Sequence, residues 1–217
     1  MDEEAELIEG LTISVGFSVE LSQTLPRWKR FCDRIVVATD ASDRDTWRVV
    51  ESIPGCDLHR TDVLYANGAS FNKGAALEEA RHRLHGDGWV LVFDADILPP
   101  DVIPWDMLVP GNLYGAPRMG DRGQLIPDGG LPGYFWMFHQ SDPVLRESPW
   151  FSSWKHAGCY DSVFERRWPR EKRIRLPFTV THLGETGTHW WGRGKTQAML
   201  DMLAERKVKR SYEHERC

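Results

Sequence analysis

The stretch from Trp89 to Asp96, WVLVFDAD, constrains the fold most. Its apolar run is unbroken up to Phe93, so both faces of an extended backbone can be buried, as in a strand inside a parallel sheet. The run then delivers Asp94 and Asp96 at i and i+2, and Ile97-Leu98-Pro99-Pro100 closes it. In a strand that spacing puts two side chains on one face, and a turn beginning there lets both carboxylates approach one cation. Hard oxygen ligands suit Mg²⁺ or Mn²⁺, ions that bridge to a diphosphate. The same two acids can equally do no more than cap the next turn.

The segments before it alternate between two periods. LTISVGFSV (11–19), RIVVATD (34–40) and the short CDLHRTD read as strands. LSQTLPRWKRFC, SDRDTWRVVESI (42–53, with Ser42 or Asp43 as N-cap) and FNKGAALEEARHRLHG read as helices. This βαβαβαβ order predicts an α/β fold, a mostly parallel sheet flanked by helices. Further on, LYGAPRM (113–119) and YFWMFH (134–139) read as strands separated by a Gly/Pro-rich loop. A helix around YDSVFERRW (160–168), strands near RIRLPF and VTHL, and a helix from Lys195 to Lys209 follow. With no repeat or linker in 217 residues, a single domain over 1–217 is expected.

Composition excludes several classes. At 41% hydrophobic and 27% charged residues the chain is globular rather than disordered. No apolar run approaches the ~20 residues of a membrane span. MDEEAELIEG lacks the basic and apolar regions of an export signal, so a cytoplasmic location is expected. Cys32, Cys56, Cys159 and Cys217 show no zinc or redox spacing. Charge is uneven: residues 1–108 carry 10 Lys+Arg against 20 Asp+Glu, whereas 166–210 carry 12 basic and 4 acidic residues. That basic stretch is either a solvated face or a surface for an anionic partner.

In an open α/β sheet, ligands gather beyond the carboxyl ends of the strands. Gly16-Phe17-Ser18, Thr39-Asp40 and Asp94-Ala95-Asp96 fall there. Asn72 and Lys73 open a helix whose first turn Gly74 keeps slim; such a start favours an anion, and it is also what any capped helix looks like.

Taken together, ISVGFSVELSQTLPRWKRFCDRIVVATDASDRDTW, FNKGAALEEA and WVLVFDADILPP resemble, in order and spacing, the nucleotide-sugar half of GT-A fold glycosyltransferases. The likeness is to the family 2-like and galactosyltransferase-like kind, known for a DxD motif. It implies a metal-dependent hexosyl transfer from a nucleotide-diphosphate sugar, with UDP the favoured nucleotide. About 11–100 would be the donor and metal half, and about 101–217 the acceptor half. By the same resemblance Phe17, Thr39 and Asp40 hold base and ribose, and Asn72 and Lys73 approach the nucleotide. Asp94 faces ribose and metal, Asp96 ligates the metal directly, and Gly133 lets the sugar come close.

AGCYDSVFERRWP resembles the helix whose N-terminal acid is the base in inverting members, which makes Asp161 the catalytic candidate; many relatives carry an acid where this chain has Tyr160. VTHLGETGTHWWGRG resembles the element that closes over the diphosphate, where His182 (His189 more weakly) would complete the metal shell and favour Mn²⁺ over Mg²⁺. Trp136, Trp190, Trp191 and Arg193 are acceptor-binding candidates, aromatic faces for sugars or bases and a guanidinium for phosphate. The acceptor is expected to be a saccharide or glycan; hydroxymethylated bases in phage-type DNA are the minority reading, served by the basic stretch. Two other functions are kept open: a non-catalytic nucleotide-sugar or glycan-binding module, and a sugar nucleotidyltransferase, although GFSVELSQ lacks the Gly-rich basic loop the latter uses.

Overall fold

The computed structural model describes residues 6–86, 88–127 and 129–183. Its strands and helices, in chain order, are β1 (Ile8–Ile13), α1 (Ser18–Trp28), β2 (Arg34–Asp40), α2 (Arg44–Glu51), β3 (Cys56–Thr61), α3 (Lys73–Arg81) and β4 (Trp89–Asp94). Then come β5 (Ile97–Leu98), β6 (Leu113–Gly115), β7 (Arg118–Met119), β8 (Leu125–Ile126), β9 (Phe135–His139), α4 (Tyr160–Glu165), β10 (Arg173–Arg175) and β11 (Val180–His182). Seven strands form the main sheet in the order β10-β6-β9-β4-β1-β2-β3, and β5-β11-β7-β8 form a smaller one. The β4-β1-β2-β3 portion is parallel, and β9 runs antiparallel between β4 and β6.

Alternation along the strands divides the core in two. Ile35 and Val37 of β2 and Leu91 and Phe93 of β4 pack with Leu21, Leu25 and Trp28 of α1 and Val50 of α2. Val36, Ala38, Val90 and Val92 face the other way, onto Ala76, Leu77 and Ala80 of α3 and Phe164 of α4. Burial on both faces explains why β4 reads as a continuous apolar run. Trp28 anchors the first layer: its ring stacks on Phe93 at 4.6 Å, and its indole N–H donates to the Ile97 carbonyl at 2.6 Å.

Three expectations shift. The strand placed at 11–19 is β1 over Ile8–Ile13, where both edges can pair, while Ser18 and Val19 already belong to α1. Gly16, at φ 69°, turns the chain between them, and its N–H donates to Asp43 Oδ2 at 2.7 Å. LYGAPRM is not one strand: Pro117 has no N–H to offer a ladder, so β6 stays in the main sheet and β7 joins the small one. The helix expected over 160–168 ends at Glu165. The helix expected at Lys195–Lys209 lies outside the described residues. No helix among the described residues is long and apolar enough to cross a membrane.

Candidate functional site

A cavity opens beyond the carboxyl ends of β1 and β4, lined by Val15, Phe17, Phe71, Lys73, Asp94, Asp96, Arg118 and His182, among others. Four elements deliver the charged groups. β4 ends at Asp94, and the turn after it carries Asp96, whose backbone carbonyl accepts Leu183 N–H at 2.8 Å and so ties β11 to that turn. β11 brings His182, β7 brings Arg118, and α3 begins with Lys73.

The charges are paired across these elements. The Lys73 ammonium is bonded to Asp94 Oδ1, with Lys73 only 6% exposed. Burial alone would strip the lysine of its proton, but Asp94 and then Tyr160 hold that proton on, so Lys73 is raised above its ordinary range. Burial pushes the Asp94 carboxyl up, Lys73 opposes that push, and Asp96 adds to it. His182 Nε2 lies 3.3 Å from Asp96 Oδ2. Burial works against an imidazolium there, yet the hydrogen bond to Asp96 and its charge outweigh this, and His182 is raised.

Two side chains of this set, Asp96 and His182, are placed so that they could act as donors to a divalent cation. Two donors on one octahedral ion with bonds of 2.0–2.1 Å stand about 3 Å apart, close to the 3.3 Å between Asp96 and His182. A carboxylate oxygen with an imidazole nitrogen is acceptable to Mn²⁺. No group of three or more His, Cys, Asp or Glu side chains among the described residues is arranged to hold a metal. The chain would thus supply two direct ligands, with Asp94 alongside but engaged by Lys73.

The expected residues divide sharply. Phe17, Lys73, Asp94, Asp96 and His182 line the one cavity. Thr39 and Asp40 do not: Thr39 is fully buried, and Asp40 Oδ1 accepts the backbone N–H of Ser42 at 2.8 Å, closing a turn. Asn72 caps α3 by accepting Ala75 N–H at 3.2 Å; it also accepts Trp154 N–H at 3.1 Å and donates to Ser153 Oγ at 2.8 Å. The segment carrying these partners crosses directly over α3, since a Cβ on Gly74 would lie 1.9 Å from the Ser152 carbonyl oxygen. Protein therefore covers the helix start that the sequence offers to an anion.

Trp136 is corrected as an acceptor residue. It is fully buried, with its ring 4.7 Å from Phe164 and its N–H donated to the Leu131 carbonyl at 2.7 Å, so no face is left for a ligand. Gly133 and Asp161 sit together beside the cavity rather than in its lining: a Cβ on Gly133 would lie 2.9 Å from Asp161 Cβ. Trp190, Trp191, Arg193 and His189 lie outside the described residues. Arg118 is the residue the sequence did not single out. Its guanidinium lies 4.7 Å from the Tyr134 ring centroid and acts on His182 electrostatically. One arginine at a strand end carries no signal of its own; only the pairing of β7 with β11 brings it to the site.

No family model matches the chain, and no curated protein matches it in sequence. Solved structures match its fold. A mannosyltransferase from Pyrobaculum calidifontis in complex with GDP-Man and Mn²⁺ aligns with a TM-score of 0.60 at 15% identity, over 87% of this chain and 60% of that one. The glucosyl-3-phosphoglycerate synthase of M. tuberculosis gives 0.54 at 15% identity, over 84% and 73%. A 4-diphosphocytidyl-2C-methyl-D-erythritol synthase from Anaerococcus prevotii gives 0.48 at 13% identity, over 95% and 100%. The chain thus has the mixed α/β fold seen in GT-A glycosyltransferases, and it spans about 60% of the length of the mannosyltransferase it matches.

Proposed function

We propose that this chain transfers a sugar from a nucleotide-diphosphate sugar to an acceptor hydroxyl with the help of a divalent cation, Mn²⁺ in preference to Mg²⁺. The observation that carries the reading is the convergence of Asp94, Asp96, His182, Lys73 and Arg118 on one cavity at the carboxyl ends of β1 and β4. The fold neighbour bound to GDP-Man and Mn²⁺ supports it.

Asp96 and His182 would hold the ion, which when bound neutralises the departing diphosphate. Lys73 holds Asp94 in place by pairing with its Oδ1, leaving Oδ2 to accept a hydrogen bond from the nucleotide ribose. Arg118 adds positive charge to the cavity lining for the phosphates. Phe17 offers an aromatic face to the base. Asp161, in the first turn of α4, takes the proton from the acceptor hydroxyl as its oxygen bonds to the sugar carbon and the nucleoside diphosphate leaves, a single displacement that inverts that carbon. UDP is the favoured nucleotide and a saccharide the favoured acceptor.

A donor screen tests the reading. Release of nucleoside diphosphate from UDP-, GDP-, dTDP- and CDP-sugars would be followed with and without Mn²⁺. Metal-dependent release from one donor is expected; release of pyrophosphate from a nucleoside triphosphate and a sugar phosphate would indicate a nucleotidyltransferase instead.

A further inference from the structure

Tyr160 opens α4 and is turned inward, 2% exposed, while Asp161 beside it is partly exposed. Its hydroxyl donates to the Gly133 carbonyl at 2.9 Å. The Lys73 ammonium lies against the same phenol, 5.1 Å from its ring centroid, and is paired with Asp94. The acid at the end of β4 is thus bonded to Lys73 of α3, whose ammonium faces the Tyr160 ring, while the Tyr160 hydroxyl ties the start of α4 to the backbone ahead of β9. A phenol suits that place because its ring can face the ammonium while its hydroxyl donates to the carbonyl.

Two further observations show how closely this point is determined. A Cβ on Gly133 would lie 2.5 Å from the Tyr160 hydroxyl, so the two segments touch without slack. Cys159, the N-cap of α4, is held at φ 72° and ψ −30°. A side chain other than glycine costs about 1–3 kcal/mol there and persists only where the surroundings over-determine it.

We propose that Tyr160 is a positioning residue: its hydroxyl, bonded to the Gly133 carbonyl while the Lys73 ammonium faces its ring, latches the first turn of α4 to the backbone ahead of β9 and so sets the place of Asp161. This rests on the reading of Asp161 as the base. The ring of Tyr160 packs on Trp136 at 5.9 Å, a contact that phenylalanine would keep, so Tyr160→Phe isolates the hydroxyl.

The test compares wild type and Tyr160→Phe in two ways. Hydrogen exchange of ligand-free protein, read over peptides containing 159–165, should quicken about tenfold, as the loss of one buried hydrogen bond implies. Turnover of the donor found in the screen should fall roughly tenfold to a hundredfold, while nucleoside diphosphate affinity in Mn²⁺ stays within about twofold, since only the acceptor side moves. Unchanged exchange, or unchanged kcat, overturns the proposal. Loss of diphosphate affinity in step with kcat also overturns it, because Tyr160 would then belong to the donor site. Tyr160→Met, which also removes the hydroxyl and keeps an apolar side chain, should reproduce the pattern if Tyr160→Phe does not fold. A wild-type chain without any donor turnover removes the role of Asp161 and with it the positioning claim; quickened exchange would then still show a structural latch, so the two failures are told apart.

Discussion

His182 Nε2 stands 3.3 Å from Asp96 Oδ2 although β11 and the turn after β4 are far apart in the chain. The Leu183 N–H bond to the Asp96 carbonyl makes that meeting a property of the backbone as well as of the side chains. If the pair holds the ion, Asp96→Ala should abolish metal-dependent donor turnover, and His182→Ala should weaken Mn²⁺ by at least about tenfold. Titration with Mn²⁺ followed by electron paramagnetic resonance reads both. Undiminished Mn²⁺ affinity in His182→Ala would place the ion elsewhere.

Lys73 pairs with Asp94 in a largely buried position and opposes the rise that burial imposes on that carboxyl. Lys73→Met leaves that carboxylate without its partner, and breaking a buried pair from one side costs about 3–5 kcal/mol. The loss should appear as a lower urea midpoint at neutral pH. A variant as stable as wild type would mean that water already solvates Asp94.

Glu78 offers a pH prediction away from the cavity. Burial disfavours its charge, but the Arg81 guanidinium and the N–H groups of Phe151 and Trp150 outweigh this and hold the carboxyl below its usual range. The unfolded chain therefore binds the proton more readily than the folded one. The stabilisation is present above the ordinary glutamate pKa and is lost as pH falls through the lower folded value. Glu78→Gln should be about 1–2 kcal/mol less stable than wild type at pH 7, with the gap closing under acid. Denaturation curves across that window check it, and a gap independent of pH would contradict it.

At Cys159, glycine would adopt φ 72° without a Cβ penalty. Cys159→Gly should be about 1 kcal/mol more stable than wild type, whereas Cys159→Ala should show no gain. Thermal unfolding distinguishes the two.

How much of this could be read from the residues depends on what each segment answers to. RIVVATD and CDLHRTD carry their own period, and β2 and β3 appear where that period puts them. Asp43 and Asn72 cap the helices they precede, because a cap is a local bond within one turn. Strand order brings Asp94, Asp96 and His182 to one end of the sheet, where they line one cavity.

What escaped was set by contacts between distant segments. Nothing local to Asn72 reveals that 152–155 will cross its helix, and nothing local to Trp136 distinguishes a core indole from a sugar platform. Arg118 depends on which strand pairs with β11. Tyr160 looks like a departure from an acidic pair until Gly133 is seen at its hydroxyl and Lys73 against its ring.

The most direct test of the central claim is nucleoside diphosphate release from the panel of nucleotide sugars, measured for wild type and Asp96→Ala with and without Mn²⁺. The account predicts release from one donor that requires both Mn²⁺ and Asp96. Release that ignores the metal and survives Asp96→Ala, or no release and no metal-linked nucleotide binding at all, would contradict it.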